Sequence, residues 1–524
     1  MEALYPPRAI GHDDVMRPPL RWIVLAGALA LFAAAFAHYR TELIDDAYIS
    51  LRYARHLAHG DGLVWNPGEA VEGYTDFLWV ILLSLTGASP AAAWALGALS
   101  GALLLVLLAR PPERLRAPGL AGALLPLAVA AHLALPYWAA KGLETALFTL
   151  LVTGGLFLHA GARGPRGALL GIHLLALSAL TRPEGLLFLA LAVVDRACRR
   201  GDPARLLAIL LPVLLLAPHF VFRLAYYGYP LPNTFYAKVG GGVEQCLRGL
   251  HYLSAFFLRP ASVLFLAALA AAAPRGPHRF LAVAVAAGCA GVAYVGGDAF
   301  GAYRFVIPVL PALSLLTVAG FARLSERLPR ALAAPAPPAL ALLLAGALFA
   351  GSRGPVEAEE SEVRRVTSLM VEVGRLLKER TPEWVTIALN PSGAIPYYSD
   401  RRAIDMLGLN DAHIAHETIG TMGTRRAGHE KGDGAYVLSR KPELILIGNV
   451  WVDENKQVTK INPSRRSEVE IMKIPAVFED YEIVLFEMSG GRSLKALARR
   501  EGTTIPKSGW LPRKYTDIQK SKWE

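Results

Sequence analysis

Apolar stretches of bilayer-crossing length recur along the first two thirds of the chain, separated by short polar breaks. A helix needs roughly 20 apolar residues to cross the hydrocarbon. On that measure the pattern predicts about eleven crossings, at 22–38, 92–109, 119–137, 143–160, 167–180, 186–195, 205–223, 249–272, 279–296, 305–321 and 336–351. The runs are rich in Leu and Ala and do not alternate, which excludes barrel strands with their two-residue period. Phe77 to Thr86 is also apolar. Counting it as a crossing would put Arg110, Arg114 and Arg116 on the other side and invert every later loop, so it reads as a juxtamembrane or re-entrant helix. The runs 167–180 and 186–195 are short and are split by Thr181-Arg182-Pro183-Glu184-Gly185. That fits a hairpin whose tip lies in a polar cavity, because irregular backbone at membrane depth must face protein or water.

Beyond about residue 355 the pattern changes. The stretch 357–380 reads as an amphipathic helix, and 384–389, 443–447 and 481–488 read as strands. The expected fold class is a polytopic α-helical membrane protein with a C-terminal soluble α/β domain on the outer face. Its units are a multi-spanning domain, 1–354, and the α/β domain, 355–524, with a mobile basic tail from about Arg500. No internal repeat is visible.

Composition supports the membrane assignment: 53% of the 524 residues are hydrophobic and 19% charged, with a mean hydropathy of +0.36. The net charge of +11 does not point to nucleic acid. Its arginines gather in short loops (110–116, 163–166, 196–205, 275–279 and 323–330) as positive-inside signals do, and no nucleic-acid-binding motif accompanies them. This bias puts the N-terminus in the cytoplasm, and the odd span count puts the α/β domain outside. The first span follows Arg8, Arg17 and Arg21 without a small-residue cleavage site, and reads as a retained helix. Cys198, Cys246 and Cys289 show no paired spacing, so neither a disulfide framework nor a metal site is implied.

Five polar stretches then share the outer face: Asp45-Asp46, Lys141 to Thr145, the Arg182–Glu184 tip, Tyr226 to Lys238, and Gly296 to Arg304. Acidic residues at a membrane face are costly to keep. Adjacent carboxylates there suit general-base chemistry, although Asp45-Asp46 would also serve as a helix cap. Glu144 follows Lys141 at the start of a span and would pair with it or contact a substrate. Arg182 and Glu184 would pair with each other or face a phosphate. Asn233, Tyr236 and Lys238 form an interfacial belt or a sugar and phosphate subsite. Asp298 and Arg304 make a local turn pair or a cavity rim. Arg426, His429 and Glu430 belong to a charge run whose plainest reading is a solvated surface.

Three blocks carry a resemblance: Asp45-Asp46-Ala47-Tyr48-Ile49-Ser50-Leu51-Arg52-Tyr53, Gly62-Leu63-Val64-Trp65-Asn66-Pro67-Gly68-Glu69, and Val71-Glu72-Gly73-Tyr74-Thr75-Asp76-Phe77-Leu78-Trp79. With Leu180 to Gly185, Pro230 to Lys238, Gly296 to Asp298, Ile404 to Asp411 and Arg425 to Lys431, they cover nearly the whole chain. The pattern resembles the GT-C superfamily of multi-spanning glycosyltransferases, and within it the actinobacterial terminal arabinofuranosyltransferases. The resemblance implies inverting transfer of a sugar from a polyprenyl-phosphate donor to a cell-envelope glycan, glycolipid or protein at the outer face of a bacterial inner membrane. It implies Asp45 as base and Asp46 as its partner, orienting the acceptor or Arg52, or the two in the reverse order. It also implies phosphate ligands among Arg182, Lys238 and Arg304, and substrate contacts at Glu144, Glu184, Asn233, Tyr236, Asp298, Arg426, His429 and Glu430. No cofactor is required by these residues. A divalent cation stays open, since members of the superfamily differ in needing one, and Asp45, Asp46 and Asp298 would hold it. The competing readings are a flippase of lipid-linked sugars, an undecaprenyl-diphosphate glycan ligase and a non-catalytic scaffold.

Overall fold

Among the described residues, six helices are long and apolar enough to cross a membrane: Leu20–Tyr39, Pro90–Ala109, Arg205–Tyr227, Pro277–Val295, Arg304–Ser325 and Ala331–Arg380. The computed structural model describes residues 18–117, 119–199, 205–259, 276–448, 452–453 and 463–500. Among the described residues, the expected count of about eleven therefore falls to six, for identifiable reasons. The 119–137 run breaks into three short buried helices, Gly119–Ala123, Leu125–Ala131 and Ala134–Ala140. Pro126 lacks a backbone donor and starts a new helix. Thr145–Gly161 and Pro165–Thr181 are apolar but have 17 residues each, and Gly185–Cys198 has 14. The 249–272 run begins inside the amphipathic helix Gly242–Phe257, and its part from 260 onward lies outside the described residues, as do Arg8, Arg17 and the tail beyond Arg500. Phe77–Leu85 is a nine-residue helix, about 13 Å long and too short to cross.

Lipid is the natural solvent for much of this bundle. The helix Arg205–Tyr227 leaves Leu206, Leu207, Leu210, Val213, Leu214, Val221 and Leu224 exposed, a larger apolar face than a water-soluble surface keeps. The predicted span 336–351 and the predicted amphipathic helix 357–380 form one continuous 45-residue helix, Ala336–Arg380. It links the bundle to the α/β domain.

Among the described residues the domain has six strands: β1 Thr386–Leu389, β2 Arg402–Asp405, β3 Leu444–Ile445, β4 Val452–Asp453, β5 Tyr481–Glu487 and β6 Ser493–Arg499. β2, β1 and β3 are parallel; β3 and β4 pair antiparallel with β6, and β5 pairs antiparallel along the whole of β6. Three strands match the predicted stretches. β6 was not predicted because Ser-Leu-Lys-Ala-Leu-Ala-Arg is helix-prone. Seven residue pairs with β5 override that preference.

The carboxyl ends of β1 and β2 lead into loops that press on the polypeptide joining the first two apolar helices. In open α/β sheets this is the edge that receives ligands; here it receives part of the same chain. Arg52, 2% exposed, donates from Nε to the Trp65 carbonyl at 2.7 Å and from Nη2 to that of Arg401 at 2.9 Å, and also reaches Pro396. Asn66 exchanges two hydrogen bonds with the Ala403 backbone, at 2.8 and 3.1 Å. A Cβ on Gly73 would strike the Asn410 side chain, and one on Gly393 would strike the Asp45 carbonyl. Glycine lets the two parts close up at both places, onto the Asn410 side chain at Gly73 and onto backbone at Gly393.

Candidate functional site

A cavity of about 810 Å³ lies where the helical bundle meets the domain. Its walls come from the helix Asp45–His59, the start of Phe77–Leu85, the 182–184 hairpin tip, the helices Pro277–Val295 and Ala336–Arg380, and the domain loops 390–392 and 426–429. Ten sequence-predicted residues line it: Asp45, Asp46, Glu144, Arg182, Glu184, Lys238, Asp298, Arg304, Arg426 and His429.

The two aspartates differ sharply. Asp45 accepts from the Gly393 amide at 3.2 Å and the Ala394 amide at 2.7 Å, one on each carboxylate oxygen. Burial pushes its carboxyl up to about 7, with the amides opposing and the Asp46 charge adding. Asp46 makes no hydrogen bond or ion pair with its side chain among the described residues.

The cations divide as well. Arg182, 9% exposed, pairs with Glu144 and, at 2.8 Å, with Glu184. Burial works to raise the Glu184 carboxyl, and the Arg182 guanidinium overcomes it and holds the group below its ordinary value. Arg304 forms a two-pronged pair with Asp298 at 2.8 and 3.0 Å. Such pairs are geometrically fixed and electrically closed. Lys238 and Arg426 are different: neither has an ion pair among the described residues, and Arg426 makes only a 3.4 Å contact with the Ala299 carbonyl. The Lys238 stem lies along Gly428, where a Cβ would touch it.

His429 donates from Nδ1 to the Ala427 carbonyl at 2.9 Å, since that oxygen can only accept, so Nε2 keeps its lone pair. Burial holds its pKa down to about 4, and the imidazole is neutral at ordinary pH.

Four predicted residues do not reach the cavity. Arg52 is spent on the carbonyls described above. Asn233 donates to the Gly408, Leu409 and Asp411 carbonyls at 2.9–3.2 Å, fastening the helix Asn233–Lys238 to the domain. Tyr236 lies against His416, ring centres 4.1 Å apart. Glu430, fully buried, accepts from the Arg425 amide at 2.9 Å and lies 3.4 Å from Arg248. Each is a polar residue whose partner is another part of the chain. Reading the sequence also missed a lining residue, Asp76, although it stands in the quoted stretch before Trp79. Among the described residues, no group of three or more His, Cys, Asp or Glu is arranged to hold a metal ion.

A family profile described as "Domain of unknown function (DUF8728)" matches residues 356–503. The chain is 31% identical over 261 residues to the terminal beta-(1->2)-arabinofuranosyltransferase of Mycobacterium tuberculosis (strain ATCC 25618 / H37Rv), covering 45% of this chain and 40% of that protein. It thus spans about two fifths of the length of the curated relative it matches. ArnT from Cupriavidus metallidurans is similar in structure. In its complex with undecaprenyl phosphate the TM-score is 0.53 at 14% identity, over 74% of this chain and 86% of ArnT. In the apo state the score is 0.56 at 12% identity, over 92% and 98%. At these identities the likeness shows a shared fold: an apolar multi-helix bundle followed by a mixed α/β domain.

Proposed function

We propose that this chain is a GT-C-type glycosyltransferase that moves a sugar from a polyprenyl-phosphate donor to an extracytoplasmic glycan, lipid or protein, with the junction cavity as its active site. The observation that carries the reading is the pairing state of the cavity's charges. Asp46 makes neither a side-chain hydrogen bond nor an ion pair, and Lys238 and Arg426 lack ion pairs, among the described residues, while Glu144, Arg182 and Glu184 close on one another and Arg304 closes on Asp298. A base and an anion site are what this reaction requires.

The acceptor O–H gives its proton to Asp46 as its oxygen attacks the anomeric carbon. The bond from that carbon to the phosphate oxygen breaks with its electron pair, the configuration inverts, and polyprenyl phosphate leaves. A sugar hydroxyl is a poor nucleophile, so a positioned base contributes roughly 10²- to 10⁴-fold. We assign the proton to Asp46 and not to its neighbour because both Asp45 oxygens already hold backbone amides. Asp45 is then a positioning residue that docks the loop on the domain. Lys238 and Arg426 meet the departing phosphate. The polyprenyl chain runs along the apolar wall of Leu187, Phe188, Ala287, Gly291, Phe305 and Val309. The curated relative's name favours arabinofuranose as the sugar.

The test is transfer by the purified full chain in nanodiscs, from a panel of radiolabelled polyprenyl-phosphate sugars to membrane glycan acceptors. Label should reach acceptor with the wild type. Asp46→Asn should lose at least about a hundredfold in rate with binding of bare polyprenyl phosphate unchanged. Folded wild-type protein that transfers from no donor would overturn the reading.

A further inference from the structure

Among the described residues, the cavity is also lined by a buried carboxylate that no cation pairs and that the transfer chemistry above does not use. Asp76 is 4% exposed and lines the cavity. It stands at the N-cap position of the helix Phe77–Leu85, yet its side chain caps no amide of that helix. Its one side-chain partner among the described residues is Ser50, whose hydroxyl donates to Oδ2 at 2.7 Å. It has no ion pair: the nearby Arg182 is already held by Glu144 and Glu184. A buried carboxylate offers about four acceptor sites and is costly to leave short of donors. Burial and the Glu144 charge both push its pKa up, as expected of a carboxyl whose partners are incomplete.

Ser50 spends its only proton on Asp76, so its oxygen also presents lone pairs. With Asp76 ionised, the corner therefore offers acceptors alone. A phosphate would be repelled by it; a ligand carrying several O–H donors would satisfy it. Position narrows the choice further. Ser50 lies four residues after Asp46 on the same helix, hence on the same face. Asp76 adjoins Glu144, which begins the apolar helix Thr145–Gly161, so the corner belongs to the membrane side of the cavity. The domain loops 390–392 and 426–429 form the other side. A sugar anchored to a lipid phosphate arrives on the membrane side.

We infer that Asp76 and Ser50 form a binding corner for the hydroxyl groups of the donor sugar, holding it beside Asp46. The inference rests on the glycosyl-transfer reading, and the experiment separates the two. Full-length protein in nanodiscs is loaded with radiolabelled decaprenyl phosphate. Decaprenyl phosphate, decaprenyl-phospho-arabinofuranose and undecaprenyl-phospho-glucose then compete for it. The wild type should bind one sugar-bearing lipid about tenfold or more tighter than the bare lipid phosphate, the worth of a hydrogen bond or two to a charged group. Asp76→Asn and Asp76→Ala should cut that preference to within about twofold while leaving the affinity for decaprenyl phosphate unchanged. Ser50→Ala, a smaller change to the fold, should lower it part of the way. A merely structural role would weaken both ligands together. Retention of the full preference in both Asp76 variants, or a wild type that binds the lipid phosphate without preferring any sugar, overturns this inference and leaves the transfer reading standing. A wild type that binds none of the three lipids removes both.

Discussion

The helices Thr145–Gly161 and Gly185–Cys198 carry charged groups near both of their ends, and the two ends are built to different rules. At the cavity end, Glu144 and Arg182 are 3% and 9% exposed and paired with each other and with Glu184. Around the far end the Arg163–Glu113 pair has side chains more than half exposed, and Arg199 reaches Asp195 at the surface. Exposed charges cost little and fix little; they serve as orientation signals. Buried charges are tolerated only with partners in place, so their positions are set by the fold. A cavity needs groups in set positions, and the end that has them is where the bundle meets the domain.

The largest effect that would break this comparison concerns Arg182. Arg182→Ala leaves Glu144 and Glu184 without their cation and should cost about 3–5 kcal/mol, read as accelerated thermal inactivation of the purified protein. Arg163→Ala at the far end should change stability by less than about 1 kcal/mol. Equal losses would mean that the two ends do not differ in the way described.

Next in size is the contrast between closed and open cations. Lys238→Gln should weaken binding of decaprenyl phosphate by about tenfold or more, the value of a charge-assisted hydrogen bond. Arg304→Lys, at a cation already closed on Asp298, should leave that affinity within about threefold. The measurement is the same competition in nanodiscs. A larger loss at Arg304 than at Lys238 would move the phosphate to the other wall.

How much of this was legible beforehand depends on the range of the interactions. The broken hairpin could be read because Thr181-Arg182-Pro183-Glu184-Gly185 announces itself over five residues, and the structure turns there. The polar stretches could be read because polarity is anomalous beside an apolar span. Which polar side chains face the cavity could not. Arg52 and Asn233 sit in the same blocks as Asp46 and Lys238, and their partners include carbonyls more than 170 residues away, at Arg401 and at Gly408 to Asp411. A local pattern marks a segment as constrained without saying by what. Asp76 was passed over for the converse reason: beside Phe77 to Leu85 it looks like a helix cap, and only the missing cap bond gives it away. The run 119–137 has the composition of a span, but its prolines and its burial inside the bundle made it three short helices.

The last contrast bears on the docking of bundle to domain. In an unfolded chain an Asp titrates near 4; in the folded protein Asp45 is pushed up to about 7, burial outweighing its two amide partners. Between those values the folded state binds more protons than the unfolded one, so this residue's contribution to stability is full at low pH. It declines as pH rises through the window and is gone above about 7. Asp45→Asn keeps one oxygen for the Ala394 amide and does not titrate. The variant's unfolding midpoint should therefore match the wild type near pH 4 and exceed it near pH 8. A variant less stable than wild type at the upper pH would mean that the charged form is the better guest of the Gly393 and Ala394 amides. Asp45 would then be a stabilising anion at a loop, and its adjacency to Asp46 would reflect docking strength more than the placement of a base.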